Sequence, residues 1–367
     1  MKKILFVYDV IYPYQLGGAE KRIYSLSKYL KKDFEINIIG MRKNGMGENF
    51  EKNRVHYYTL TKYNNLYNSK GKRRVILSIH FAIDLYFFLI KNNFDIIDAT
   101  ANPYFHIFAI KLALLTKRKT KLFVTWHEYW DKDYWIYYSS PITGRIGFSV
   151  QNLALKLSEN IISVSKFTKK RLERKTDKDI KLISNGIEDI KIKRYKKIYD
   201  LVYTGRIIDF KNIDKILELS NINPQLKILI IGDGPELEKY KDRYINKNIT
   251  FTGFLKKDIE VYRYLSQSKI FIILSEREGF SISSIEAMNI GLPVICYRGE
   301  NNAAKDLIEN KRNGILATLD LEDINRSIIE IIDNYKFYSI NAQKSSEEYL
   351  YKKICKDYIK LINSTSE

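Results

Sequence analysis

A chain of 367 residues, 45% apolar and 29% charged, has material for more than one core and divides most naturally into two domains. Two cysteines, Cys296 and Cys355, exclude a disulfide framework and fit a reducing compartment, and the longest apolar run, residues 75–90, is short for a membrane span and is interrupted by His80 and Asp84. The net charge of +19 lies in one half: residues 1–200 hold 38 Lys and Arg against 19 Asp and Glu, whereas residues 201–367 hold 24 of each.

Residues 2–8 (KKILFVY) predict a first strand buried on both faces. A loop with Pro13 and Gly17-Gly18 follows. Residues 19–30 then set Ile23, Leu26, Tyr29 and Leu30 on one helical face. Strand, Gly-Gly loop and helix form the opening unit of a doubly wound sheet, with the loop at the strand's carboxyl end, where ligands bind. Further strands are predicted at 35–40, 55–58, 94–98 and 121–126, and an apolar helix at 75–91. The strand 121–126 ends in His127-Glu128, followed by an aromatic loop at 129–138 (YWDKDYWIYY). A helix at 149–158, a strand at 161–165, a basic helix at 166–174 and a strand at 181–184 lead to Asn185-Gly186.

Residues 188–200 are charged and aperiodic and read as a linker. The pattern then restarts. Strand 201–203 leads to Thr204-Gly205-Arg206 and a helix at 212–219. Strand 227–231 leads to Gly232-Asp233-Gly234-Pro235, and strand 249–251 to Thr252-Gly253-Phe254. Strand 270–274 leads to Glu278-Gly279-Phe280 and a helix opening at Ser281. A strand at 292–297 and helices at 302–308, 321–335 and 346–362 complete the chain. Such alternation predicts mostly parallel sheets in two similar α/β halves.

Three glycine-bearing turns of the second half follow strands directly, so a parallel sheet places them on one edge. Backbone N–H groups at the helix start near Ser281 suit an anion such as phosphate. Arg206 and Lys211 supply two cations for a pyrophosphate. Glu278 and Glu286, eight positions apart, offer acceptors to hydroxyls. Anion donors beside hydroxyl acceptors suit a nucleotide-sugar.

Arg206…Lys211, the Gly-Asp-Gly-Pro turn and the Glu278…Glu286 spacing resemble the E-x7-E signature of the retaining glycosyltransferases of family four. Gly17-Gly18-Ala19-Glu20, His127, Val164-Ser165 and Ser184-Asn185-Gly186 are similar to that family's first half. The resemblance implies a GT-B fold: two Rossmann-like, doubly wound parallel-sheet domains facing each other across a cleft. The domains are expected at 1–190 and 198–345, with the C-terminal helix, about 346–367, packing back on the first. The resemblance also implies transfer of a sugar from a nucleotide-sugar with retention and without a metal or other cofactor. Arg206 and Lys211 would hold the diphosphate, Glu278 the donor sugar and Glu286 the ribose. Gly17 and Gly18 would approach the diphosphate, as would backbone around Gly279, Phe280 and Ser281. Gly234, Pro235 and Phe254 would lie near the base, and His127 near the reacting carbon, orienting or polarising. Neither Asp-Lys-Asp triplet, at 131–133 and 177–179, follows a strand as a metal-binding D-x-D would.

The basic half implies an acidic partner. The aromatic loop 129–138, with basic runs at Lys117-Arg118-Lys119 and 166–175, is expected to dock on an anionic membrane surface. The acceptor would then be a glycan or lipid-linked, and the enzyme cytoplasmic and peripheral on the inner face. Other readings are a nucleotide-sugar epimerase or phosphorylase on the same fold, a non-catalytic subunit, or a nucleic-acid binder using the basic half. No nucleic-acid motif accompanies the charge, so nucleic acid is not the expected partner.

Overall fold

The computed structural model describes residues 1–15, 17–68, 72–117 and 119–364; Lys70 and Arg118, part of the basic runs, lie outside them. The chain forms two compact units, Met1–Ser184 with Cys355–Glu367, and Asn185–Ile354.

The first unit holds β1 (Lys3–Val7), β2 (Glu35–Lys43), β3 (Asn49–Lys52), β4 (Val55–Tyr63), β5 (Ile96–Thr100), β6 (Lys121–Trp126), β7 (Asn160–Ser163) and β8 (Ile180–Leu182). Among the described residues they form one sheet in the order β3-β4-β2-β1-β5-β6-β7-β8. All pairings are parallel except β3 with β4. That hairpin turns through Asn53 and Arg54, both at positive φ. Consecutive strand residues face opposite sides and both sides are covered, which is why these strands read as unbroken apolar runs. Leu5, Val7, Ile97 and Val124 face the helices Val75–Lys91, Phe105–Leu114 and Pro141–Leu157. Phe6 and Asp98 face the C-terminal helix Tyr351–Ser364 through Tyr358.

The second unit holds β9 (Tyr199–Thr204), β10 (Ile228–Ile231), β11 (Ile249–Gly253), β12 (Ser268–Ile273), β13 (Val294–Tyr297) and β14 (Gly314–Ala317). Its order is β11-β10-β9-β12-β13-β14, parallel throughout. This is the 3-2-1-4-5-6 order of the doubly wound nucleotide-binding fold. Leu201, Ile230 and Ile272 serve one core layer, and Val202, Leu229 and Phe271 the other.

Several expectations need correcting. The aromatic loop is a helix, Lys132–Tyr138, and Trp126 and Tyr129 beside it are fully buried. Trp130 packs on Tyr134, Trp135 and Tyr138 at 4.8, 4.9 and 5.1 Å between ring centroids. Gln151 Oε1 accepts from Trp130 N and Trp135 Nε1, so the cluster is tied inward; of its rings only Tyr137 is largely exposed, at 79%. The expected helix at 302–308 is a 3-10 turn, Ala303–Leu307, and that at 346–362 breaks at a 3-10 turn, Glu347–Tyr349. Helices Phe105–Leu114, Leu237–Arg243, Asp258–Ser266 and Tyr335–Ser346 add to those expected.

Candidate active site

In a doubly wound sheet the ligand crevice opens where neighbouring strands send their connections to opposite faces, here between β9 and β12. The loops leaving these two strands carry Arg206 and Lys211, and Glu278. Backbone hydrogen bonds stitch the strand-end turns together. Gly205 N donates to Ile231 O at 3.0 Å, Ile207 N to Asp233 O at 2.9 Å, Gly232 N to Gly253 O at 3.0 Å and Glu276 N to Phe210 O at 2.9 Å. Two positions of the Gly232–Pro235 turn admit only glycine. A Cβ on Gly232, at φ +143°, would lie 1.8 Å from Gly205 O, and one on Gly234 would lie 2.1 Å from Ile207 O.

Across the switch point the Lys211 ammonium is ion-paired with a Glu278 carboxylate oxygen, and both side chains are 13% exposed. Lys211 is aimed by the 3-10 turn Asp209–Lys211 and by Asn212, a left-handed residue whose Nδ2 donates to Leu274 O at 2.9 Å. Glu278 is held by a parallel bridge to Asn302: its N donates to Asn301 O at 3.1 Å and its carbonyl accepts from Ala303 N at 2.9 Å. Burial, followed by the negative charge of Glu278, holds the Tyr203 phenol and the Cys296 thiol well above their ordinary pKa values, so both stay neutral. Arg206 is exposed; its carbonyl accepts from Tyr203 OH at 3.0 Å, and its side chain makes no hydrogen bond or ion pair among the described residues. Its guanidinium is open to an anionic ligand beside the Lys211–Glu278 pair.

The helix Ile282–Asn289 is capped by Ser281, whose Oγ accepts from Ser284 N at 3.3 Å. Ser281 is buried, so its hydroxyl serves the helix, and what this turn presents to a ligand is backbone. One turn on, half-buried Glu286 accepts from Tyr262 OH at 3.2 Å, a partner with no sequence signal. Phe280 packs edge-on against Tyr349 at 6.0 Å. Pro235 and Phe254 are exposed at the same sheet edge.

The first unit has its own switch point, between β1 and β5. Gly17 and Gly18 lead from the loop after β1 into the helix Gly18–Leu30, whose Glu20 carboxylate is buried against Gly17. Burial raises the pKa values of Glu20 and of Asp9. Asp9 is ion-paired with Arg73, an arrangement the sequence did not suggest, since the partners lie 64 positions apart. His127 leaves β6 half-buried; burial and the nearby Arg22 guanidinium push its pKa down to about 3. It is therefore a neutral imidazole at ordinary pH, able to hydrogen-bond but not to donate as an imidazolium. Beneath it Asp98 accepts from Thr125 Oγ1 at 2.7 Å and from Tyr358 OH at 2.8 Å.

Among the described residues no three His, Cys, Asp or Glu side chains gather as a metal site. Asp131 pairs with Arg171 at 2.8 Å and Asp179 with Lys181 at 2.5 Å, so each Asp-Lys-Asp triplet has an oxygen engaged by a cation.

The family model described as glycosyltransferase family 4 matches residues 16–190, and that described as glycosyl transferases group 1 matches residues 186–349. An uncharacterized glycosyltransferase of Haemophilus influenzae is 28% identical over 167 residues, 43% of this chain and 47% of the relative. The O-antigen biosynthesis glycosyltransferase WbnH of Escherichia coli is 26% identical over 211 residues, 56% of this chain and 60% of the relative. The chain thus spans about half to three-fifths of the curated relatives it matches. Among solved structures, sucrose-phosphate synthase from Thermosynechococcus elongatus superposes with a TM-score of 0.83 at 15% identity, covering 100% of this chain and 99% of that one. Anabaena Alr3699/HepE in complex with UDP and glucose gives 0.71 at 17% identity, with 99% and 100% covered. At these identities the likeness is one of fold, and the fold is GT-B.

Proposed function

We propose that this chain, which belongs to glycosyltransferase family 4, moves a sugar from a nucleotide-diphosphate sugar to a glycan or lipid-linked acceptor with retention of configuration. The observation that carries the reading is the Lys211–Glu278 pair at the second unit's switch point, beside an unpaired Arg206 and the backbone turn at Ser281.

The chemistry then assigns itself by charge. Arg206 and Lys211 take the diphosphate, whose charge grows as the bond from the anomeric carbon to the phosphate oxygen breaks. Glu278, relieved of part of its pairing with Lys211, accepts from the sugar hydroxyls. Glu286, oriented by Tyr262, accepts from the ribose. The acceptor hydroxyl attacks on the face the phosphate leaves, and its proton passes to the departing phosphate oxygen, so no protein nucleophile and no metal enter the step. His127, being neutral, orients a hydroxyl rather than protonating one. The resemblance to solved GT-B enzymes, one of them holding UDP and glucose, supports a nucleotide-sugar donor. The basic first half supports an acceptor presented at an anionic membrane face. No helix among the described residues is long and apolar enough to cross a membrane, which leaves peripheral attachment as the proposed mode.

The test is thermal shift against a panel of nucleotide-sugars, because a ligand at one hundred times its Kd adds about 2.7 kcal/mol to stability. A shift with one donor that disappears in Glu286→Ala supports the reading. No shift with any donor, together with no turnover, defeats it.

A further inference from the structure

The helix Val75–Lys91 is apolar on both sides. Its inward side, Phe81, Leu85 and Leu89, is buried in the core of the first unit. Its outward side carries a second apolar row: Ile76, Ile83 and Phe87, at helical spacings of seven and four, are 55%, 50% and 54% exposed, with exposed His80 and Asp84 between them, the latter accepting from Thr61 N at 3.3 Å. The neighbouring helix Phe105–Leu114 packs against it and against Pro141–Leu157, all on one face of the sheet. The last of these carries Ile142 and Ile146 at 73% and 59% exposure. A surface helix ordinarily turns mostly charged residues outward, and a row of large apolar side chains left exposed on two helices of one face belongs under a cover.

The charge around this face selects the cover. Exposed Arg74 heads the first helix and Lys91 ends it, while exposed Arg145 sits inside the second stripe and Lys156 near its end. None of the four makes an ion pair among the described residues. The residues that build this unit carry +17 of the chain's +19. A second copy would set cations against cations. A bilayer with anionic headgroups satisfies both features, receiving the apolar side chains below its surface and the basic ones at it.

We infer that the outward faces of the helices Val75–Lys91 and Pro141–Leu157 form a docking surface for an anionic lipid bilayer. The surface consists of apolar side chains on these two helices, not of the aromatic segment after His127, whose rings largely pack on one another. The inference refines the membrane part of the reading above and is independent of the transfer chemistry.

The experiment is co-sedimentation of the full chain with phosphatidylglycerol-containing vesicles and with phosphatidylcholine vesicles at low salt. The wild-type protein is expected to partition at least tenfold more strongly onto the anionic vesicles. Ile83→Asp/Phe87→Asp/Ile146→Asp should lose at least tenfold of that partition, as should Arg74→Glu/Arg145→Glu, whereas Tyr137→Ala should keep it. The substituted side chains point outward, and unchanged melting and an unchanged nucleotide-sugar shift in each variant verify the fold. A wild-type protein that ignores anionic vesicles, or a triple-Asp variant that binds them as wild type does, overturns the inference. So does a wild-type dimer in sedimentation equilibrium that the triple-Asp variant converts to monomer, which would make a second copy the cover. Vesicle binding without any donor shift and without turnover would defeat the transferase reading and leave this surface standing.

Discussion

Lys211→Met removes the ammonium at the switch point and keeps much of the apolar stem. Two consequences follow from the geometry. Glu278, 13% exposed, is left as a nearly buried carboxylate without its cation. Breaking a fully buried pair from one side costs about 3–5 kcal/mol, and partial exposure places this one near the low end, about 3 kcal/mol. In a domain of this size each kcal/mol moves Tm by about 2–4 °C, so the melting of the second unit should fall by roughly 6–12 °C. The second consequence concerns turnover. A preorganised cation on a leaving diphosphate is comparable to one oxyanion donor, so kcat should fall about 10²- to 10³-fold. The double variant Lys211→Met/Glu278→Gln separates the two effects. With both charges gone the stranded carboxylate disappears, and most of the Tm loss should return while turnover stays low. Calorimetry and steady-state assays with saturating donor read both. Turnover in Lys211→Met within about threefold of wild type would refute the leaving-group role. A double variant no more stable than the single would refute the assignment of the stability loss to an uncompensated charge.

Gly232→Ala tests the turn lattice without touching a ligand group: with a Cβ 1.8 Å from Gly205 O and φ at +143°, chemical denaturation should show a loss of at least about 4 kcal/mol or no folded second unit. Acid titration tests two imidazoles with lowered pKa values, half-buried His127 and His106, which is buried at the start of the helix Phe105–Leu114. With a folded pKa of about 3 for His127 and about 4 for His106, against about 6.5 unfolded, stability is fully present above pH ~6.5 and falls as the unfolded state takes up protons below it. Each histidine then costs about 2 kcal/mol by pH ~5, and His127→Gln should flatten that slope in Tm against pH. The same shift predicts that the profile of kcat/KM shows no inflection from His127 between about pH 5.5 and 8.

Strands buried on both faces could be read from the sequence because both side-chain directions are apolar, as in KILFV and ILII, and their positions agree to a few residues. The edge strand Asn49–Lys52 could not: NFEK has one large apolar residue, and its place is set by the Asn53-Arg54 turn. The helix Lys132–Tyr138 was hidden because its aromatic residues pack on one another and on Gln151 instead of lining one stripe toward a sheet. In the site, residue types and spacing drew attention to Arg206, Lys211, Glu278 and Glu286. The contacts that aim them were not visible. Lys211 meets Glu278 because two strands far apart in sequence are neighbours in the sheet, and Tyr262 reaches Glu286 from 24 positions away.

Asp98 waits for Tyr358, which comes 260 residues later in the chain. The first unit is therefore first to begin and last to finish as synthesis proceeds. When residue 184 has been made its sheet can assemble, yet the face of Phe6 and Asp98 stays uncovered until the whole second unit has followed. A chain stopped before Tyr358 keeps an unsealed core face and a buried acid with Thr125 but without its second hydroxyl donor. Such a product would expose apolar surface for chaperones and proteases to recognise, so the helix Tyr351–Ser364 couples the presence of the second unit to the closing of the first.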